Sequence, residues 1–264
     1  MSQERINEFL NIFKEKTLKE TISLTLNTKE LKITDSKFGG IPYLPKDQNV
    51  PTNDKGEQYR LLAQIRMDDL PTNHIGLPRE GMLQFWALDN DIVGLPDDYE
   101  VLYYSCIDET IKSEDVLQKY RITTNEDIYF PIQDEFGLDF ELTKQALSPS
   151  DFQFDKVLTK LWNECYSDDL IETFQDLEDK DIDIIYDQLN NSGHRIGGYP
   201  FFTQFDPREG EMEDYQILLL QIDSDDIGEK EIMWGDCGIG NFFITQDDLE
   251  KLDFSRVLYN WDCC

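Results

Sequence analysis

Basic residues are scarce in this chain. Its 264 residues carry 24 Lys and Arg against 55 Asp and Glu, a net charge of −31. Such a field repels nucleic acid and anionic membrane, and it leaves no basic, aromatic-interleaved patch for reading nucleic acid. Histidine is scarcer still: His74 and His194 are the whole supply, in unlike surroundings. A zinc site needs three or four ligands, and no local cluster offers them. The five cysteines, Cys106, Cys165, Cys237, Cys263 and Cys264, are odd in number and widely spaced. They form neither a disulfide framework nor a Cys-x-x-Cys site, which points to a reducing cytoplasm. There is no signal peptide and no apolar run near the ~20 residues of a membrane span. The Gly-x-Ser-x-Gly elbow, the His-Glu-x-x-His helix and the phosphate-cradling glycine loops are all missing, so no metal, nucleotide or haem cofactor is expected.

Aromatic residues and internal repetition are what the chain does have. Aromatics make up 12% of it and hydrophobic residues 39%, enough for a packed core, whereas disordered acidic chains are poor in aromatics. The length allows one large domain or two small ones. The charge is uneven: residues 1–150 hold 27 acids and 16 bases, residues 151–264 hold 28 and 8. An acidic second half is a solvated surface or a docking face for a basic partner.

The repetition is ordered. Gly39-Gly40-Ile41-Pro42 matches Gly197-Gly198-Tyr199-Pro200. The apolar run around Gln64 matches the run around Gln221, and Gly81 before Met82 matches Gly238 before Ile239. The spacing is 157 residues at the glutamines (221 − 64) and again at the glycines (238 − 81). A solenoid needs three or more repeats, so two copies predict a pseudo-symmetric pair, about 23–150 and 151–264, sharing one domain over 1–264. Two separable domains are the alternative. The expected fold is α+β: a mainly antiparallel sheet built from two duplicated β-rich units, with an N-terminal helix and helices around 151–190.

The order of these blocks resembles the YwqG-like family, a bacterial family of unknown function. The matching parts are His194-x-x-Gly-Gly-x-Pro with Gln204, Leu219 to Asp223, and Trp234-Gly235-Asp236. The resemblance implies a cytosolic α+β protein and supplies no activity, substrate or catalytic residue.

Along the chain, Ile6, Phe9, Leu10 and Phe13 have helical spacing, so residues 3–20 read as an amphipathic helix, capped by Ser2 and packed on a sheet. Residues 23–26 and 29–33 read as two short strands, and 61–65, 82–88 and 101–107 as further ones. Tyr129 to Ile132 and Leu138 to Phe140 close the first half. Residues 151–191 read as mainly helical, with runs over 154–162, 170–177 and 181–189, and the acidic string 176–183 reads as a solvated helix face or linker. A helix starts at Asp247, and 254–261 is the last strand.

Six residues are candidates for binding: His194, Gln204, Gln221, Asp223, Trp234 and Asp236. Gln64 and Gln221 need partners if buried, and each is expected to satisfy the backbone of its own Gly-Gly loop. His194 is expected to bond a backbone carbonyl there. A Cys237–His194 nucleophile pair is the catalytic alternative, and Asp223 and Asp236 could cap turns or do acid–base work. Two functions follow. The first is a non-enzymatic module whose acidic surface binds a basic protein, for example by neutralising a toxin. The second is a small-molecule enzyme or sensor with a pocket between the repeats.

Overall fold

The structure, a computed structural model, describes residues 3–121 and 130–264. In chain order the elements are helix α1 (Gln3–Thr17), strands β1 (Lys19–Asn27), β2 (Lys37–Phe38), β3 (Tyr59–Arg66), β4 (Met82–Leu88) and β5 (Tyr99–Tyr104), and the one-turn helix α2 (Ser113–Val116). Then come β6 (Phe136–Gln145), helices α3 (Phe154–Cys165) and α4 (Asp179–Gln188), β7 (Arg195–Gly197) and β8 (Ile217–Asp223). The small hairpin β9 (Asp225–Ile227) and β10 (Lys230–Ile232), β11 (Ile239–Ile244), helix α5 (Gln246–Glu250) and β12 (Leu258–Asp262) complete the chain.

Ten strands form one antiparallel sheet in the order β12-β11-β8-β7-β1-β6-β2-β3-β4-β5. The predicted α+β class with a mainly antiparallel sheet holds. The first-half strand β1 lies between β7 of the second half and β6. Its register with β6 runs from Lys19 opposite Gln145 to Asn27 opposite Gly137.

The sheet curls until side chains near its two outer ends touch. The rings of Phe85 in β4 and Phe242 in β11 lie 4.9 Å apart, and those of Tyr99 and Tyr259 lie 5.1 Å apart. Tyr259 Oη donates to the Val93 carbonyl at 3.0 Å. Strands β3, β4 and β11 are buried along almost their whole length, because one face lines the inside of the curl and the other lies under an outer layer. Val101, Leu220 and Tyr259 belong to the inner cluster, whereas Leu61, Trp86 and Tyr43 form an outer one. That explains their unbroken apolar runs: a strand covered on both faces has no solvent side to make polar.

The helical layer forms its own cluster. Phe9 and Phe13 of α1 meet Trp162 and Phe154 of α3 edge-on, at 4.9 and 5.6 Å between centroids, and Ile185 of α4 joins them. The expectation that α1 packs on a sheet is thus corrected: it packs on α3 and α4. Its end is fixed by Thr17, whose Oγ1 donates to the Phe13 carbonyl and accepts from the Leu147 N–H.

Other corrections have local causes. Residues 29–33 form no strand, because β1 continues to Asn27 and the chain then turns to reach β2. Residues 170–177 contain only a one-turn 3-10 helix at Phe174–Asp176. Asp176 Oδ2 takes up the Glu172 and Thr173 N–H groups and starts that turn. The acidic string is not all solvated: Asp181 is fully buried, one turn before Ile185 on the same face of α4. Ser2 and Tyr129 lie outside the described residues.

Candidate functional site

The two glutamines fasten the two Gly-Gly loops with matching bonds. Gln221 Nε2 donates to the carbonyls of Asn191 and Gly193 at 3.0 and 2.7 Å, and its Oε1 accepts from the Phe201 N–H at 2.8 Å. Gln64 Nε2 donates to Ile33 and Asp35, both at 2.8 Å, and its Oε1 accepts from the Tyr43 N–H at 2.8 Å. Between these bonds the chain turns through Gly39 and Gly40, at φ +63° and +72°, or Gly197 and Gly198, at +70° and +74°. These are left-handed conformations that glycine adopts without strain. Neighbouring side chains repeat as well: Gln84 Nε2 donates to the Tyr43 carbonyl at 2.7 Å, and Asn241 Nδ2 to the Phe201 carbonyl at 2.9 Å. The copies then differ. Gln84 Oε1 accepts from Trp86 Nε1, but Phe243 holds that place in the second half, and the Asn241 Oδ1 atom has no partner among the described residues.

His194 sits just before the second loop, against the end of β8. Its Nδ1 accepts from the Asp223 N–H at 2.9 Å, so the proton is on Nε2, which meets Asp225 Oδ2 at 3.2 Å. The expected carbonyl partner is therefore replaced by an amide donor and a carboxylate. The His194 side chain is 1% exposed and both its nitrogens are engaged, which leaves none for Cys237. Asp223 caps the same corner, accepting from the Gly193 N–H at 2.5 Å and the Ser224 N–H at 2.8 Å.

The remaining candidates sit apart from that corner or are used up in packing. Trp234 is buried, with its backbone N–H on Ser224 Oγ at 3.0 Å, and its ring fills the space over Gly240. Gln204 Nε2 donates to the Cys263 carbonyl at 2.6 Å, close to Asp262, which holds the backbone of Thr203 and Gln204. Asp236 is exposed. Of the six, His194, Asp223 and Gln221 share one corner; Gln204 and Asp236 do not join it.

That corner opens on a cleft of about 520 Å³ formed by β9, β10 and their flanks. The acidic residues of its lining are Asp223, Asp225, Asp226, Glu229 and Glu231, and Lys230 is the one basic residue there. Lys230 is drawn to the first half, bonding the Glu135 carbonyl at 3.2 Å. The exposed side chains of Met233 and Cys237 complete the wall. The sequence reading missed Asp225 as a site residue, although it stands two residues from the Asp223 it singled out.

The two neighbouring carboxyls are pushed in opposite directions. Burial raises Asp223, whereas the hydrogen bond from His194 holds Asp225 below the usual carboxylate range. A depressed carboxyl contributes stability above its unfolded-state pKa and loses it as pH falls through the folded value; a raised one has the reverse effect. Asp225→Asn should therefore lower the melting temperature at pH 7, and the gap to the parent should close as pH falls from the ordinary carboxylate range through the lowered Asp225 value. Thermal unfolding followed across that range checks this; a gap that stays constant with pH would show that the His194 bond does not depend on the Asp225 charge.

A comparison with curated proteins finds no match. A family model described as a domain of unknown function, DUF1963, matches residues 36–263. Its span takes in both Gly-Gly loops, both glutamines, the His194 corner and the acidic cleft, so the chain belongs to the DUF1963 family.

Proposed function

We propose that this is a YwqG-like bacterial protein of the cytoplasm that works by binding a basic protein partner and not by catalysis. Two duplicated units, about 23–150 and 151–264, build its single domain. The matched bonds of Gln64 and Gln221 support the duplication. The observation that carries the function is the acidic cleft, whose lining holds five acidic residues and one lysine that is turned toward the first half. Exposed Met233 beside them adds an apolar contact to a charged surface, a combination suited to a basic, partly apolar protein surface such as that of a toxin. Among the described residues no helix is long and apolar enough to cross a membrane.

The test is capture of partners from the host lysate at low and at moderate salt. The bait is the parent chain or a variant carrying Asp226→Asn, Glu229→Gln and Glu231→Gln. A basic protein retained at low salt, released at moderate salt and lost from the variant is the expected result. Equal capture by parent and variant would move the contact away from this cleft.

One other observation favours a small-molecule reading. A groove of about 450 Å³ beside Gly197 and Gly198 has Leu18, Ile75 and Leu218 as apolar walls and Lys19, Glu20 and His74 as polar groups. Both halves of the chain contribute, as pockets between subunits of a fold commonly require. A metabolite that raises the melting temperature of the parent but not of His74→Ala would favour this reading; a flat response across a broad screen would count against it.

A further inference from the structure

The curl of the sheet stops short of closing, and the gap has the shape of a missing strand. β5 pairs with β4 on one side only. In an antiparallel strand, alternate residues direct both backbone polar groups to one neighbour and the rest direct theirs to the other side. Half of the β5 amides and carbonyls thus face away from β4, and no backbone group of the described residues takes them up. Across the gap runs the stretch 254–257 that leads into β12. It is antiparallel to β5: Tyr99 Oη donates to the Val257 carbonyl at 2.8 Å, and Tyr103 meets Phe254 at 5.7 Å between centroids. Whole aromatic side chains, and no backbone ladder, bridge the two.

A cavity of about 470 Å³ occupies the gap, lined by all five residues 99–103 and by residues of 252–257 opposite. Neighbouring residues of a strand point to opposite faces, so a cavity touching five in a row lies along the strand's edge. The charged residues of its lining are Asp97 and Glu100. Glu100 has no hydrogen-bond or ion-pair partner among the described residues, and burial raises its carboxyl. A carboxylate that is half desolvated and unpaired on a strand edge calls for a cation delivered with a backbone.

We propose that this slot is a strand-addition site, which takes an extended basic segment of a partner protein beside β5 with a lysine or arginine side chain against Glu100. Main-chain bonds to the β5 edge supply affinity, and alternate side chains of the added strand supply specificity. One face of the added strand meets Tyr99, Val101 and Tyr103, which pack with the inner core, so that face is apolar; the other is basic. The proposal rests on the reading of a basic partner and says where the partner's backbone docks.

The probe is a capped eight-residue peptide alternating lysine and valine, titrated by calorimetry into the full chain at low salt. A peptoid with the same side chains keeps the charge and has no backbone N–H. Binding at one to one, at least tenfold weaker for the peptoid and about tenfold weaker with Glu100→Gln, is the expected result. Hydrogen exchange gives a readout that needs no variant: amides of 99–104 should gain protection on adding the peptide. If the peptoid binds as tightly as the peptide, the contact is charge alone; the slot is overturned while the acidic-surface reading stands. If the peptide does not bind but a basic protein is still captured through the β9–β10 cleft, the slot alone falls. If neither binds, both readings fall. A dimer of the parent chain that protects 99–104 without peptide assigns the slot to a second copy and overturns the proposal.

Discussion

Gln221→Leu should destabilise the protein by roughly 3–5 kcal/mol, read as a lower midpoint in urea and a fall in melting temperature on the order of 10 °C. Leucine fills much the same space but makes none of the three bonds. The carbonyls of Asn191 and Gly193 and the amide of Phe201 would then lose their partner. Gln221 itself is 0% exposed, so water does not replace the glutamine without opening the loop. Each buried polar group left unpaired costs about 1–3 kcal/mol. Gln64→Leu should behave alike, since it strands Ile33, Asp35 and Tyr43 in the same way. Gln221→Glu keeps the acceptor for Phe201 but replaces two donors with a buried charge, and should be no milder. A loss below about 1 kcal/mol for Gln221→Leu would show that the Gly-Gly loop is held by its packing and not by the glutamine.

The second large effect is expected at Arg208. Its Nε and Nη2 bond both oxygens of Asp206, at 2.9 and 2.6 Å, and Nη2 also bonds Asp151 at 2.8 Å. All three side chains are 2–3% exposed. The guanidinium lies 4.6 Å from the Phe243 ring centroid and 5.2 Å from that of Phe152. The cluster ties the loop after β7 to the start of α3, because Asp206 also accepts from the Phe152 N–H at 3.1 Å. Arg208→Met should cost roughly 3–5 kcal/mol, since it leaves two carboxylates buried without a cation. Arg208→Lys should recover little, because an ammonium cannot bond the pair in the planar fork that Arg offers. Adding Asp151→Asn and Asp206→Asn to Arg208→Met should recover part of the deficit, since it removes the unpaired charges. Urea unfolding of the three chains at pH 7 checks both size and sign. No recovery would mean that lost packing on Phe243 dominates.

Much of this was legible in the sequence where a pattern is local. The strand 82–88 follows from alternation and from Gly81 before it, and α1 from Ile6, Phe9, Leu10 and Phe13. The glutamines were legible because each is polar inside an apolar run next to a Gly-Gly turn. What was hidden depends on contacts far apart in the chain. Arg208 looks like one more charge in an acidic loop, and only folding brings Asp151 to it. Asp181 reads as solvated because its neighbours are acidic, yet it falls on the buried face of α4. The place of β1 between β6 and β7 is a matter of topology, which hydrophobic spacing does not encode. The His194 corner was half legible: the histidine and Asp223 were visible as candidates, but the partner of its Nε2 was one of several nearby acids.

The position of β1 sets an order of events during synthesis. Its residues leave the ribosome early, but their partners in β6 begin at Gly137 and those in β7 at Arg195. At about 5–20 residues per second, the first wait is roughly 5–20 seconds. Over that time an apolar strand carrying Ile22, Leu24 and Leu26 has no sheet to enter. Once residue 145 has emerged the first unit can pair its own strands in the order β1-β6-β2-β3-β4-β5, but the other edge of β1 still has no partner. That edge stays open until residue 197 has emerged, and it is in that interval, not in the finished fold, that chaperones would find it exposed.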